Sequence, residues 1–135
     1  MNRIYICSAF RGDAEENIRK AKEYCRYAAV KCGVIPIAPH LLFPQFLDDE
    51  TEAERELGVC FGLTLLADCS ALWYFGDRVS QGMVIEINEA FRLGIPVQYV
   101  SAEEMKIQKD DGAEPKAVDG GGNRGIGKRG FCKLM

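Results

Sequence analysis

The sequence lacks what several functions require. His40 is its sole histidine, no C-x-x-C pair occurs, and the cysteines show no metal-ligand spacing, so no metal site is expected. No apolar run is long enough to cross a bilayer, so no membrane partner is expected. Met1-Asn2-Arg3-Ile4 enters a strand pattern directly, without a signal-peptide apolar region, which predicts a cytoplasmic location. Basic charge is not in excess: the formal net charge of −3 gives no general reason to expect nucleic acid as a partner. There is no internal repeat.

What is present suits one soluble globular domain. The 135 residues can bury a real core, and 47% are hydrophobic against 27% charged. Of the six cysteines, Cys7, Cys25, Cys32, Cys60 and Cys69 lie inside apolar patterns and read as reduced core thiols. Cys132 falls in a polar tail. Residues 1–100 read as an α/β domain and 101–135 as a flexible tail. Asp111 to Gly130 is rich in glycine and charge and nearly free of large apolar residues, so it cannot bury enough to fold alone. Arg124, Lys128, Arg129 and Lys133 make the end basic; a solvated tail is favoured over a nucleic-acid arm. One extra turn of helix fits Ala102 to Lys106.

Within the domain the pattern alternates. Ile4-Tyr5-Ile6-Cys7 is a short strand, followed by the loop Ser8-Ala9-Phe10-Arg11-Gly12. Asp13 reads as an N-cap, with Glu16 completing a capping box for a helix that runs to about Lys31 and stops at Gly33. Val34 to Pro39 is a second strand whose prolines suggest a sheet edge. His40 sits at its carboxyl end, and Leu41 to Asp49 is an apolar loop placed to fold over a pocket. A second helix runs from Thr51 or Glu52 to about Ala67 on an apolar face of Leu57, Cys60, Phe61, Thr64 and Leu65. Ala71-Leu72-Trp73-Tyr74-Phe75 is a buried strand. A third helix starts near Ser80 and ends at Gly94, and Pro96 to Val100 is the last strand. This alternation predicts a parallel sheet with helices on both faces, a flavodoxin-like three-layer sandwich of strand order 2-1-3-4.

That order puts the switch point between the first and third strands, where such sheets bind ligands. Arg11 and Ser80 then sit on facing loops of one crevice. The helix start at Ser80 offers unpaired N–H groups to an anion, Ser80 adds a hydroxyl, and Gly82 allows close approach to the backbone. Glu86, flanked by Ile85 and Ile87, carries a carboxylate in the second turn. A phosphate cradle with a carboxylate above it suits a nucleotide. Each residue also has a purely structural alternative: Arg11 paired with Asp13 or Asp77, Tyr5 as a core aromatic, His40 as a strand-end cap, Glu86 as a solvated acid.

Three segments resemble the nucleoside 2-deoxyribosyltransferase superfamily, and within it most the 2′-deoxynucleoside 5′-monophosphate N-glycosidases. They are Tyr5-Ile6-Cys7-Ser8-Ala9-Phe10-Arg11-Gly12; Asp68-Cys69-Ser70-Ala71-Leu72-Trp73; and Ser80-x-Gly82-x-x-x-Glu86 followed by Gly94-Ile95-Pro96-Val97. The chain is also similar to a phage- and bacteria-associated branch of that superfamily. The resemblance covers residues 3 to 100. It implies that Glu86 is the nucleophile at the anomeric carbon, with Tyr5 beside it. It implies that Ser8, Arg11, Gly12, Ser80 and Gly82 form the loops holding the 5′ phosphate, and that His40 lies near the base. It implies a nucleotide or nucleoside as partner, a homodimer, and no cofactor or metal. The chain departs from the pattern in having Ser8-Ala9 where the hydrolases have Gly-Ser. It also has Cys60 where the family carries an acid; Glu56, one turn earlier, would replace that acid only if the helix were shifted. Asp13, Glu15 and Glu16 put negative charge at the first helix start, where it competes with an anion. The competing reading is a binding module that keeps the crevice without turnover.

Overall fold

The structure, a computed structural model, describes residues 1–107. Four strands, β1 (Arg3–Cys7), β2 (Ile35–Ile37), β3 (Ala71–Phe75) and β4 (Val97–Val100), form one parallel sheet in the order β2-β1-β3-β4. This is the expected 2-1-3-4 order. Its register pairs Tyr5 with Ile37 on one side and with Leu72 on the other. β2 lies at the edge, as its prolines require, and is only three residues long.

Side chains alternate across a strand, so each strand serves two cores. Ile4, Ile6, Trp73 and Phe75 enter one cluster; Tyr5, Cys7 and Leu72 enter the other. The first cluster is covered by helix α1 (Ala14–Arg26), and by the π-helical turn Tyr27–Lys31 that prolongs it. The second is covered by α3 (Glu52–Leu66) and α4 (Gln81–Leu93), which contribute Leu66, Met83 and Ala90. A short helix, α2 (Pro39–Leu42), and a 3₁₀ turn, Phe43–Gln45, occupy the stretch read from sequence as an apolar loop.

Local chemistry accounts for the element ends. Asp13 accepts a hydrogen bond from the Glu16 N–H at 3.3 Å and opens α1. The Glu16 carboxylate turns to Arg19 at 2.6 Å instead of closing the capping box. The helix was expected to stay regular to Lys31. The widened turn brings Tyr27 and the adjacent Ala28 both into the core, which a regular repeat presents less well. Gly94, at φ +73°, closes α4 in the left-handed conformation that glycine adopts without strain.

Two expectations are corrected. In α3 the buried residues are Cys60, Gly62 and Leu66, while Thr64 and Leu65 are exposed, so the buried face shares Cys60 with the one read off the sequence but is rotated toward Gly62 and Leu66. The helix is apolar on several sides, and periodicity alone does not orient it. Cys7, Cys25, Cys32 and Cys69 are free thiols, but Cys60 is disulfide-bonded. Helix α5 (Ala102–Lys106) is present, with Met105 packed on the first core, and the expected Gly-rich segment lies outside the described residues. Among the described residues no helix is long and apolar enough to cross a membrane.

Candidate active site

The carboxyl ends of β1 and β3 feed two loops that face each other across the switch point. Between them and α3 lies a cavity of about 550 Å³. Ser8, Arg11, His40, Ser80, Gly82 and Glu86 all line it, so six of the eight residues singled out in the sequence converge there. A smaller apolar slot of about 130 Å³ adjoins it, walled by Phe10, Pro39, Phe43, Pro44 and Leu47. Tyr5, His40 and Glu86 reach this slot. Gly12 lines neither; at φ +101° it turns the chain between β1 and α1.

Glu86 stands where the two spaces meet. Met83, three residues earlier, and Ala90, four later, are buried, so the helical repeat directs Glu86 inward. Its Oε2 accepts a hydrogen bond from the Tyr5 hydroxyl at 2.8 Å. Burial pushes the carboxyl up from its ordinary 4.5 to about 7, against the hydrogen bonds from Tyr5 and Cys7, which favour the charged form. Burial, together with the neighbouring Glu86, raises the Tyr5 phenol well above its ordinary value, so it stays a donor at neutral pH. Gly62 makes this pair possible. A Cβ at position 62 would stand 3.0 Å from the Tyr5 hydroxyl oxygen.

The other walls are similarly set. Ser8 Oγ lies 2.8 Å from His40 Nε2. Burial pulls His40 down to about 4, so the ring is neutral at physiological pH. His40 belongs to α2 and not to a strand end, which brings it over the crevice. Ser80 caps α4: its Oγ accepts from the Met83 N–H at 3.3 Å, leaving the hydroxyl hydrogen to donate. The first N–H groups of α4 point along the same direction. Arg11 pairs with neither Asp13 nor Asp77. Its Nε meets Asp49 Oδ2 at 3.1 Å, with the arginine side chain 65% exposed.

On α3 sequence reasoning named Cys60 and Glu56 but passed over Arg55, Gly58, Val59 and Gly62. Arg55 and Val59 line both spaces, Glu56 lines the larger cavity, and Gly58 and Gly62 line the slot. Cys60 lines neither. The acids that α3 turns to the site are Glu56, in the larger cavity, and Glu54, in the slot, in the helix as it lies, with no shift. The small residues Gly58 and Gly62, one turn apart, were the signal that something packs closely against this helix. Among the described residues no group of three histidine, cysteine, aspartate or glutamate side chains is placed to hold a metal.

No curated protein matches the chain. Among solved structures it is similar to a 2-deoxyribosyltransferase from Bacillus psychrosaccharolyticus, at 17% identity and a TM-score of 0.56, over 73% of this chain and 72% of that one. At that identity the likeness establishes a shared fold. Residues 2–100, which hold every site residue described above, match the family described as domain of unknown function (DUF7768), and the chain belongs to that family.

Proposed function

We propose that the protein cleaves or transfers the N-glycosidic bond of a nucleoside or deoxynucleoside 5′-monophosphate, with Glu86 as nucleophile. The observation that carries this reading is the Glu86 carboxyl, held 2.8 Å from the Tyr5 hydroxyl where the larger cavity meets the narrow slot. The fold shared with a 2-deoxyribosyltransferase supports the same chemistry.

The base enters the slot between Phe10, Phe43 and the prolines, and the phosphate meets Ser80, the first N–H groups of α4 and Arg11. A Glu86 oxygen bonds to C1′ as the C1′–N bond breaks, and the electron pair leaves with the base. The departing base takes up a proton from solvent through the larger cavity, which Glu56 lines. The glycosyl ester on Glu86 is then opened by water, for hydrolysis, or by a second base, for transfer. Tyr5 holds the carboxylate in line and releases its hydrogen bond as the ester forms. Binding energy from the phosphate, remote from C1′, orients the sugar for attack. A homodimer belongs to this proposal through the sequence resemblance, and sedimentation tests it.

Incubation with a panel of nucleosides and their 5′-monophosphates, with free base followed by chromatography, is the test. Base released from monophosphates by the wild type but not by Glu86→Ala supports the reading. Ligand-dependent thermal stabilisation without base release supports the binding module instead.

A further inference from the structure

The polar groups around the slot are unequal in what they have left to offer a ligand. Asp49 is engaged by Arg11 at 3.1 Å, Glu54 accepts from the Asp48 N–H at 2.6 Å, and Glu86 accepts from Tyr5 at 2.8 Å. His40 is tied to Ser8 at 2.8 Å. Arg55 differs. It lines both the slot and the cavity, is half-buried, and forms no ion pair among the described residues. Its hydrogen bond runs from Nη1 to the Asp49 carbonyl oxygen at 3.2 Å. That bond holds the side chain at the rim and leaves most of the guanidinium's five donors unused. Beside carboxylates that are each engaged through a single oxygen, Arg55 therefore brings unused donor capacity to the rim, in the planar fork that matches two adjacent acceptors.

We propose that Arg55 selects the leaving base, taking one whose exposed edge carries paired acceptors: a 6-oxopurine, read at O6 and N7, over a 6-aminopurine. This rests on the glycosidic reading above, because it presumes a base in the slot. A guanidinium fork donates to O6 and N7 together, whereas the amino group of adenine turns a donor toward it. Burial at the rim makes such a mismatch cost more than it would in water.

Hypoxanthine and adenine 2′-deoxynucleoside 5′-monophosphates form the matched pair for the test, since they differ only in the group at position six and the N1 hydrogen that accompanies the oxo form. The wild type is expected to favour the hypoxanthine substrate by roughly tenfold or more in kcat/KM, and Arg55→Met to bring the ratio close to one. Equal rates in the wild type, a preference for adenine, or an equal loss on both substrates in Arg55→Met would overturn the assignment while leaving the glycosidic reading intact. Equilibrium binding of the two monophosphates to Glu86→Gln and to the Glu86→Gln/Arg55→Met double variant supplies a readout independent of turnover. The same preference, lost with Arg55, is expected; indifference to the base, or no binding of either nucleotide, overturns the assignment. Base release by the wild type separates failure of this step from failure of the reading beneath it.

Discussion

The Tyr5 hydroxyl and Glu86 Oε2, 81 positions apart in the chain, lie 2.8 Å apart across the face of β1. The bond favours the charged carboxylate, and burial opposes it with the larger effect. Tyr5→Phe removes the donor and keeps the ring. The Glu86 pKa then rises further, and less of the carboxylate is ionised at pH 7. The acid limb of the kcat/KM profile moves to higher pH, with a loss of about tenfold at neutral pH. A pH–rate profile of the two proteins checks this. An unshifted limb separates the phenol from the carboxylate's titration.

Glu86 also links stability to pH. Its carboxyl titrates near 4.5 when unfolded and about 7 when folded, so between these values the folded state holds a proton that the unfolded state has lost. Stability is therefore highest below the unfolded value and falls as pH rises through the window, by about 3 kcal/mol at full extent. Glu86→Gln removes this dependence. It is expected to be the more stable protein at pH 8 while being inactive, and denaturation curves at pH 4.5 and pH 8 measure both effects.

Gly62 links the two halves of the site. Alanine at this position favours the helix by about 1 kcal/mol. Its Cβ, 3.0 Å from the Tyr5 oxygen, forces the phenol or α3 to yield. Gly62→Ala should leave the melting temperature nearly unchanged and reduce activity to the level of Tyr5→Phe. Combining the two substitutions should add little, because both act through the same hydrogen bond.

Arg11 is held by Asp49 on the surface, where such pairs contribute less than about 1 kcal/mol. Arg11→Ala should hardly change stability. It should raise KM for a monophosphate substrate roughly tenfold while leaving the parent nucleoside unaffected. An equal effect on both substrates would remove Arg11 from the phosphate site.

Much of this was legible in the sequence where the signals are local. The run Ala71–Phe75, the cap at Ser80 and the stop at Gly94 bound β3 and α4 within a residue. The alternation of elements implied a parallel sheet, and the flavodoxin-like order chosen for it, which the structure bears out, brings Arg11, Ser80 and Glu86 to one crevice. What stayed hidden depends on distance along the chain or on rotation. The partner of Arg11 is Asp49, 38 residues away, and neither the nearby Asp13 nor Asp77 on the facing loop. The rotation of α3, which turns Glu56 and Arg55 rather than Cys60 to the crevice, follows from packing of glycines against Tyr5 and Leu47 and leaves no clear period.

The account depends most on Glu86 forming a bond to the sugar. Acid-quenching the wild type during turnover of a deoxynucleoside monophosphate, with peptide mass spectrometry and the rate of base release, tests it directly. The expected result is a 2-deoxyribosyl-phosphate adduct on Glu86 and a loss of base release of at least about a thousandfold in Glu86→Gln. Base release that persists in Glu86→Gln, or an adduct carried by another residue, would contradict it.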